Sequence, residues 1–289
     1  MAKREVLLVL HPTRPAAKEL AASIVKTLSS EGFTFISSLD TGISGVTQVG
    51  SDQVKQSYSQ IELVLVLGGD GTILRGAEEI HGLNIPVLGI NLGHVGFLAE
   101  IGKPSQEEII SAIREKKYKT EKRMTLAYQV FRGDELVTKG WALNEVTIER
   151  SSEAMVELLV QIDHRPLSRW GCDGIICATP TGSTAYAFSA GGPIVWPEVE
   201  ALVLLPLAAH ALFSRPMVIS PESIIAVDIE SEEATLSADG LRKFQLVEND
   251  RVILTSDNSP INLAQIDPAL FTDRLVAKFK LPVEGWRGE

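Results

Sequence analysis

Five apolar residues in succession, Leu63-Val64-Leu65-Val66-Leu67, run directly into Gly68-Gly69-Asp70-Gly71-Thr72, and a helix-compatible segment follows over residues 72–80. A run of aliphatic residues without alternation reads as a strand buried on both faces, as in a parallel sheet covered by helices. The glycines let the backbone approach a phosphate closely, and the N–H groups and dipole at the start of the next helix favour negative charge. Strand, glycine loop and helix together form phosphate-binding architecture. No GxxxxGK[ST] occurs, so the chain is not a P-loop NTPase. Taken alone, the turn has a second reading in which the glycines serve geometry and Asp70 only caps the helix.

The surrounding sequence repeats this layout. Short apolar runs at residues 6–10, 33–36, 61–67 and 87–90 alternate with helix-like segments at 16–28, 72–80 and 105–117, which predicts βαβ units on a parallel sheet. Ser105 and Glu108 have capping-box spacing, and Ile109, Ile110 and Ile113 share one helical face. Residues 40–53 turn to Gly, Ser and Thr and read as a surface loop. From about Met124 the pattern changes to strand-like runs at 125–131, 142–149, 155–162, 175–179, 217–219, 224–229 and 251–255. The expected fold is an α/β domain over residues 1–120 that carries the GGDGT loop, then a mostly antiparallel β-rich domain over 121–262. Residues 263–289 are expected to return to the first domain.

Charge excludes several functions. With 27 Lys and Arg against 37 Asp and Glu, the net charge of −10 repels nucleic acid and anionic lipid, and no basic patch offsets it. The N-terminal apolar run stops at His11-Pro12, and the stretch at 201–209 is interrupted by Pro206, so a membrane span is not expected. The two cysteines, Cys172 and Cys177, form neither a disulfide framework nor a zinc motif and read as buried small hydrophobes in a cytoplasmic protein. His11, His81, His94, His164 and His210 lack metal spacing. Trp196 and Trp286 read as packing residues.

Two more segments carry chemistry. Asp173-Gly174 leads through a strand-like run into Thr179-Pro180-Thr181-Gly182-Ser183-Thr184-Ala185-Tyr186, with Ser189 and Gly191-Gly192 beyond. Such a series of small and hydroxyl residues offers many hydrogen bonds to a polar ligand; its bland reading is an ordinary Ser/Thr/Gly turn. Asn144-Glu145 interrupts an apolar strand with an amide and a carboxylate, a pair suited to ribose hydroxyls or an adenine edge, or else to a solvated strand face.

In this order and spacing, the GGDGT loop, the Asn144-Glu145 pair and the stretch from Asp173-Gly174 to Tyr186 closely resemble the bacterial-type NAD kinases. The similarity covers nearly the whole chain, including Asn91-Leu92-Gly93-His94-Val95-Gly96-Phe97-Leu98 and Phe271-Thr272-Asp273-Arg274-Leu275. The resemblance implies phosphoryl transfer from ATP to the 2′-hydroxyl of the adenosine ribose of NAD, giving NADP and ADP. It casts Asp70 as proton acceptor, Gly71 beside it at the reacting groups, and Arg75 as a contact for phosphate charge. Asn144 and Glu145 would hold the nicotinamide side of NAD. Asp173, Thr184, Ala185, Tyr186, Ala187, Phe188 and Ser189 would line the rest of its site. The resemblance also implies Mg²⁺ or another divalent cation carried mainly on ATP, inorganic polyphosphate as a second donor to test, and a homodimer or homotetramer. One departure stands out: relatives often carry a basic residue two positions before Asp173, where this chain has Gly171, and Arg169 is the nearby replacement. The rivals are a diacylglycerol-type lipid kinase, which would require membrane attraction, and a regulator that binds NAD without turning it over.

Overall fold

The computed structural model describes residues 4–50, 54, 60–93 and 96–283. His94 and Val95, the last part of the 40–53 stretch and Trp286 lie outside the described residues. Contacts divide the chain into one unit of Met1–Lys122 with Ile261–Glu289 and another of Arg123–Pro260.

The first unit opens with β1 (Arg4–Leu10), α1 (Pro15–Ser29), β2 (Phe33–Ser37), β3 (Val46–Gln48), β4 (Ile61–Leu67), α2 (Asp70–Ile80), β5 (Pro86–Ile90) and α3 (Gln106–Glu115). Its parallel sheet runs β5-β4-β1-β2-β3, with β4 wholly buried from Leu63 onward. Alternation decides which helix covers which face. Leu63, Leu65 and Leu67 pack with Ala21, Ile24 and Leu28 of α1 and with Ile109 and Ile113 of α3. Opposite, Gly76 of α2 lies so close to Val64 and Val66 that a Cβ there would sit 2.8 Å from Val66. Ser105 caps α3 in the expected capping box. The 40–53 stretch departs from expectation, because β3 within it joins the sheet edge beside β2. Backbone pairing with Phe35, Ile36 and Ser37 overrides its polar composition.

The connections set the site. The chain leaves β1 toward β2, whereas β4 lies on β1's other side and leads onward to β5. The carboxyl ends of β1 and β4 therefore border a topological switch point, where open α/β sheets bind ligands.

The second unit contains β6 (Lys119–Arg132, from Arg123), β7 (Glu135–Ala142), β8 (Glu145–Arg150), β9 (Val156–Ile162), β10 (Arg165–Cys172), β11 (Gly174–Ala178), the 3₁₀ turn Gly182–Thr184, α4 (Tyr186–Ser189), β12 (Leu202–Leu207), β13 (Met217–Ile219), β14 (Ile225–Ile229), β15 (Glu233–Ala238), β16 (Arg242–Val247) and the first part of β17 (Asp250–Gln265). An antiparallel sheet in the order β13-β12-β11-β8-β15-β16 packs against β10-β9-β14-β17 and the β6-β7 hairpin through Ile148, Leu158, Val160, Trp170, Leu204 and Val227. Strands β7, β10, β12, β15 and β16 were not among the sequence expectations. β16, Arg-Lys-Phe-Gln-Leu-Val, lies at the sheet edge with only Leu246 buried, so burial leaves little mark on its composition. β12 contains Pro206, but β13 pairs only Leu202–Leu204, leaving Pro206 where a strand tolerates a missing N–H. The last residues of β17 pair in parallel with β5 in the first unit, and α5 (Phe271–Phe279) follows.

Candidate active site

Gly69, not Asp70, is the N-cap of α2, in extended backbone and without a side-chain cap hydrogen bond. Asp70 takes the first helical position and turns its carboxylate away from the helix. Oδ2 accepts from Phe97 N–H at 2.8 Å and Oδ1 from Leu98 N–H at 3.2 Å. The capping reading of Asp70 is thereby replaced by a carboxylate held on two backbone donors from another loop. Gly96 permits the approach, since a Cβ there would lie 2.1 Å from Oδ1. Gly69 and Gly71 differ: neither has a positive φ, and a Cβ on either would meet nothing within 4 Å. The protein's own packing does not require glycine at these positions, which face open space beside helix N–H groups lacking intrahelical acceptors. Arg75 is exposed on α2 and lies about 140° round the helix from Asp70, by the 100° step per residue.

A residue the sequence reading passed over stands nearby. Arg14, at the N-terminus of α1, has its Nη1 buried without a hydrogen-bond partner among the described residues. Its guanidinium lies over Gly93, where a Cβ would be 2.4 Å from Nη1. Arg14, Lys18 and His11 line a cavity of about 490 Å³ at the carboxyl ends of β1 and β2. The signal available in sequence was a basic residue just after the first strand and before a Pro-initiated helix.

In the second unit, Leu143 and Asn144 fall between β7 and β8, breaking the expected continuous strand over 142–149. Asp239, absent from the sequence candidates, causes the break. Its carboxylate accepts from the backbone N–H groups of Leu143 at 2.9 Å, Asn144 at 2.7 Å and Glu145 at 3.4 Å, while Arg242 pairs with it at 2.8 Å. Glu145 is only 8% exposed, and its Oε2 has no hydrogen-bond partner among the described residues. Burial, reinforced by the Asp239 charge, pushes the Glu145 carboxyl from 4.5 up to about 8, against the pull of the Tyr186 N–H. At neutral pH it is a carboxylic acid, able both to donate and to accept.

That shift fixes a prediction. The unfolded chain releases the Glu145 proton near 4.5 and the folded chain holds it to about 8, so the folded state binds more protons across this window. Stability from this site is intact below 4.5 and lost as pH rises toward 8. Glu145→Gln, always neutral, should match the parent in Tm at pH 4.5 and exceed it progressively up to pH 8.5 in thermal melts. A Tm difference independent of pH would show that the carboxyl ionises normally.

The second loop is partly structural. Thr179, Thr181 and Ser183 are buried. Thr179 Oγ1 donates to Leu143 carbonyl at 2.6 Å, and Ser183 Oγ donates to Pro180 carbonyl at 2.6 Å and accepts from Val195 N–H at 2.9 Å. These two hydroxyls bind protein, as in the reading of this stretch as an ordinary Ser/Thr/Gly turn. Ala187 likewise packs with Ile176, Val195 and Val203 in a small core. Thr184 and Ala185 are half-buried, and Tyr186, Phe188 and Ser189 are exposed. Tyr186 bridges the segment to its surroundings: its N–H reaches Glu145, and its phenol bonds to Glu149, whose charge joins burial in pushing the phenol up. Asp173 pairs with Arg150 at 2.9 Å, whereas Arg169 pairs with Glu230 at 3.0 Å. The charge beside Asp173 therefore comes from Arg150. Both cysteine thiols are buried and free, and burial raises them to about 11 and about 12. Trp196 is 44% exposed, unlike the packing residue expected.

Among the described residues, no group of three or more His, Cys, Asp or Glu side chains is arranged to hold a metal, and no helix is long and apolar enough to cross a membrane.

Known proteins match this arrangement along the chain. The family model for the ATP-NAD kinase N-terminal domain matches residues 6–118, and that for the ATP-NAD kinase C-terminal domain matches 143–266. An NAD kinase of Thermobifida fusca is 45% identical over 300 residues, covering 99% of this chain and 92% of the relative. An NAD kinase of Mycobacterium tuberculosis is 43% identical over 305 residues, covering 100% and 99%. Among solved structures, yeast NADH kinase complexed with NADH gives a TM-score of 0.85 at 24% identity over 96% of this chain and 87% of the other, a likeness of fold. An NAD kinase from Archaeoglobus fulgidus in complex with ATP gives a TM-score of 0.73 at 26% identity, covering 96% and 98%. Two domain models in the right order, with relatives aligned over nearly the whole chain, place the GGDGT loop and the Asn144-Glu145 pair in one lineage: the chain belongs to the ATP-NAD kinase family.

Proposed function

We propose that this chain phosphorylates NAD with ATP, transferring the γ-phosphoryl group to the 2′-hydroxyl of the adenosine ribose. The observation that carries the reading is Asp70. Its carboxylate is held by Phe97 and Leu98 N–H beside a helix start whose glycines face open space. A ribose hydroxyl is a weak nucleophile, and a fixed carboxylate accepts its proton as attack develops. Gly71 leaves room for the reacting phosphate, and the free N–H groups of α2 meet its charge. Arg14 and Lys18 add cations from the β1 side, and the exposed Arg75 of α2 adds a third. A divalent cation carried on ATP would neutralise phosphate charge; among the described residues no group of three or more His, Cys, Asp or Glu would hold it apart from the nucleotide.

The acceptor belongs to the second unit in this reading. Neutral Glu145 and the Asn144 amide offer donors and acceptors to NAD hydroxyl and amide groups, with Thr184, Ala185, Tyr186, Phe188 and Ser189 from the following turn, Ala187 packed in the small core, and Asp173 at the other end of β11 beside Arg150. Asn144→Ala should raise the KM for NAD by about 2- to 150-fold, the equivalent of about 0.5–3 kcal/mol of hydrogen bonding, and leave the KM for ATP within about twofold. Equal rises for both substrates in steady-state kinetics would remove the pair from the acceptor site.

The direct test is incubation with NAD, ATP and Mg²⁺ while NADP is followed with an NADP-specific dehydrogenase. NADP formation supports the reading; NAD binding without NADP makes the chain a regulator instead. Parallel reactions with inorganic polyphosphate and with NADH define donor and acceptor range. The free cysteines and acidic surface suit a cytoplasmic enzyme. Exposed Leu212, Phe213 and Val218 near the edge strand β13 suit self-association into a homodimer or homotetramer, which sizing chromatography measures.

A further inference from the structure

We propose that Arg274, on the C-terminal helix α5, is a positioning residue that holds Asp70 in its reactive orientation through the loop at residues 97–99. The inference rests on the role of Asp70 given above. Arg274 is 2% exposed, an unusual placement for a guanidinium, which carries five donors and stays charged. Its Nη1 donates to the Ala99 carbonyl and lies 3.5 Å from the Phe97 carbonyl. The Phe97 carbonyl and the Leu98 N–H belong to one rigid peptide plane. Arg274 thus grips one side of the plane whose other side donates to Asp70 Oδ1. The Phe97 N–H, one plane earlier, donates to Oδ2.

Packing reinforces the grip. The Phe97 ring meets Phe271 and Phe279, both from α5, with centroids 5.9 Å away in each case and tilted planes. The ring is 5% exposed, so the loop cannot shift without moving α5. Glu100, also buried, accepts from Ile266 N–H and feels the Arg274 charge, which opposes the upward push of burial on its carboxyl. A helix far along the chain from the GGDGT loop therefore sets the position of two donors. Misplacing a catalytic group by about 1 Å costs about 10²-fold in rate, enough for remote packing to control turnover.

Two variants test this. Arg274→Met removes the charge and the fork; Arg274→Lys keeps the charge beside Glu100 but loses the planar fork, so it stays informative if the first variant folds poorly. Each should lower kcat about 10- to 100-fold with KM values for NAD and ATP within about twofold. In an Asp70→Asn background the same changes should cost less than about threefold, because the group being positioned is gone. Amide exchange at Phe97 and Leu98 should quicken in both variants, a readout independent of any reaction. Full kcat in well-folded Arg274→Lys, equal cost in both backgrounds, or unchanged exchange at Phe97 and Leu98 would overturn the proposal. Absence of NADP from the parent protein would count against the functional reading instead, and the exchange measurement would still decide whether Arg274 holds the loop.

Discussion

Asp70→Asn should lower NADP formation about 10²- to 10⁴-fold, the usual worth of a positioned general base. The substitution preserves size and removes the proton-accepting charge. It also disturbs the pairing: two backbone donors, Phe97 N–H and Leu98 N–H, meet the two carboxylate oxygens, and an amide offers one oxygen only. The Asn NH₂ would face a donor, costing about 1–3 kcal/mol of stability, a loss a domain of this size survives with a lowered Tm. Helix capping cannot account for a kinetic effect, because Gly69 is the N-cap of α2 and Asp70 makes no cap hydrogen bond. Nucleotide affinity should hold or rise, since a negative charge near phosphates has gone. Turnover, nucleotide affinity and Tm on one preparation separate the roles. Near-parental turnover in a folded variant would take Asp70 out of the mechanism.

What sequence revealed about this region was local. A buried run ending in glycines specifies strand, loop and helix within twenty residues, and β4 and α2 emerged accordingly. The capping box of α3 was equally legible, because its partners are three residues apart. Long-range partners were not. Asp239 reaches Leu143, Asn144 and Glu145 across separations of 94–96 residues, and Arg274 reaches Phe97 and Ala99 across 177 and 175. Such pairings depend on which strands become neighbours, information that no local period carries. The hydroxyl-rich loop stayed open to two readings for a related reason: a Ser or Thr reads alike whether it faces a ligand or, as Thr179 and Ser183 do, the protein's own carbonyls. Asn144 and Glu145 were recognisable as an oddity in an apolar strand. That Asn144 lies in a break and Glu145 opens the next strand, held neutral by burial, required the fold.

Gly182→Ala should damage the acceptor side as severely as Asp70→Asn damages the chemistry. A Cβ on Gly182 would lie 1.9 Å from the Asn144 carbonyl oxygen, 2.4 Å from its carbonyl carbon and 2.7 Å from its Cα. All three obstructing atoms are backbone, so no rotamer change relieves the clash. The adjacent hydrogen bonds are linked: Thr179 N–H donates to the Asn144 carbonyl at 2.9 Å, and Thr179 Oγ1 donates to Leu143 carbonyl while accepting from Gly182 N–H at 3.1 Å. Moving Asn144 away from the turn strains these bonds and the three N–H groups that Asp239 collects. Overpacking of this kind costs about 1–3 kcal/mol, lowering Tm by several degrees. The kinetic consequence is more specific. Asn144 and Glu145 would leave their places relative to Tyr186, whose N–H bonds to Glu145, so the KM for NAD should rise by on the order of 10²-fold. The GGDGT loop belongs to the other unit, and the KM for ATP should stay within a few-fold of the parent. A variant with a lower Tm but an unchanged KM for NAD would mean that the 182–184 turn supports the fold without shaping the acceptor site.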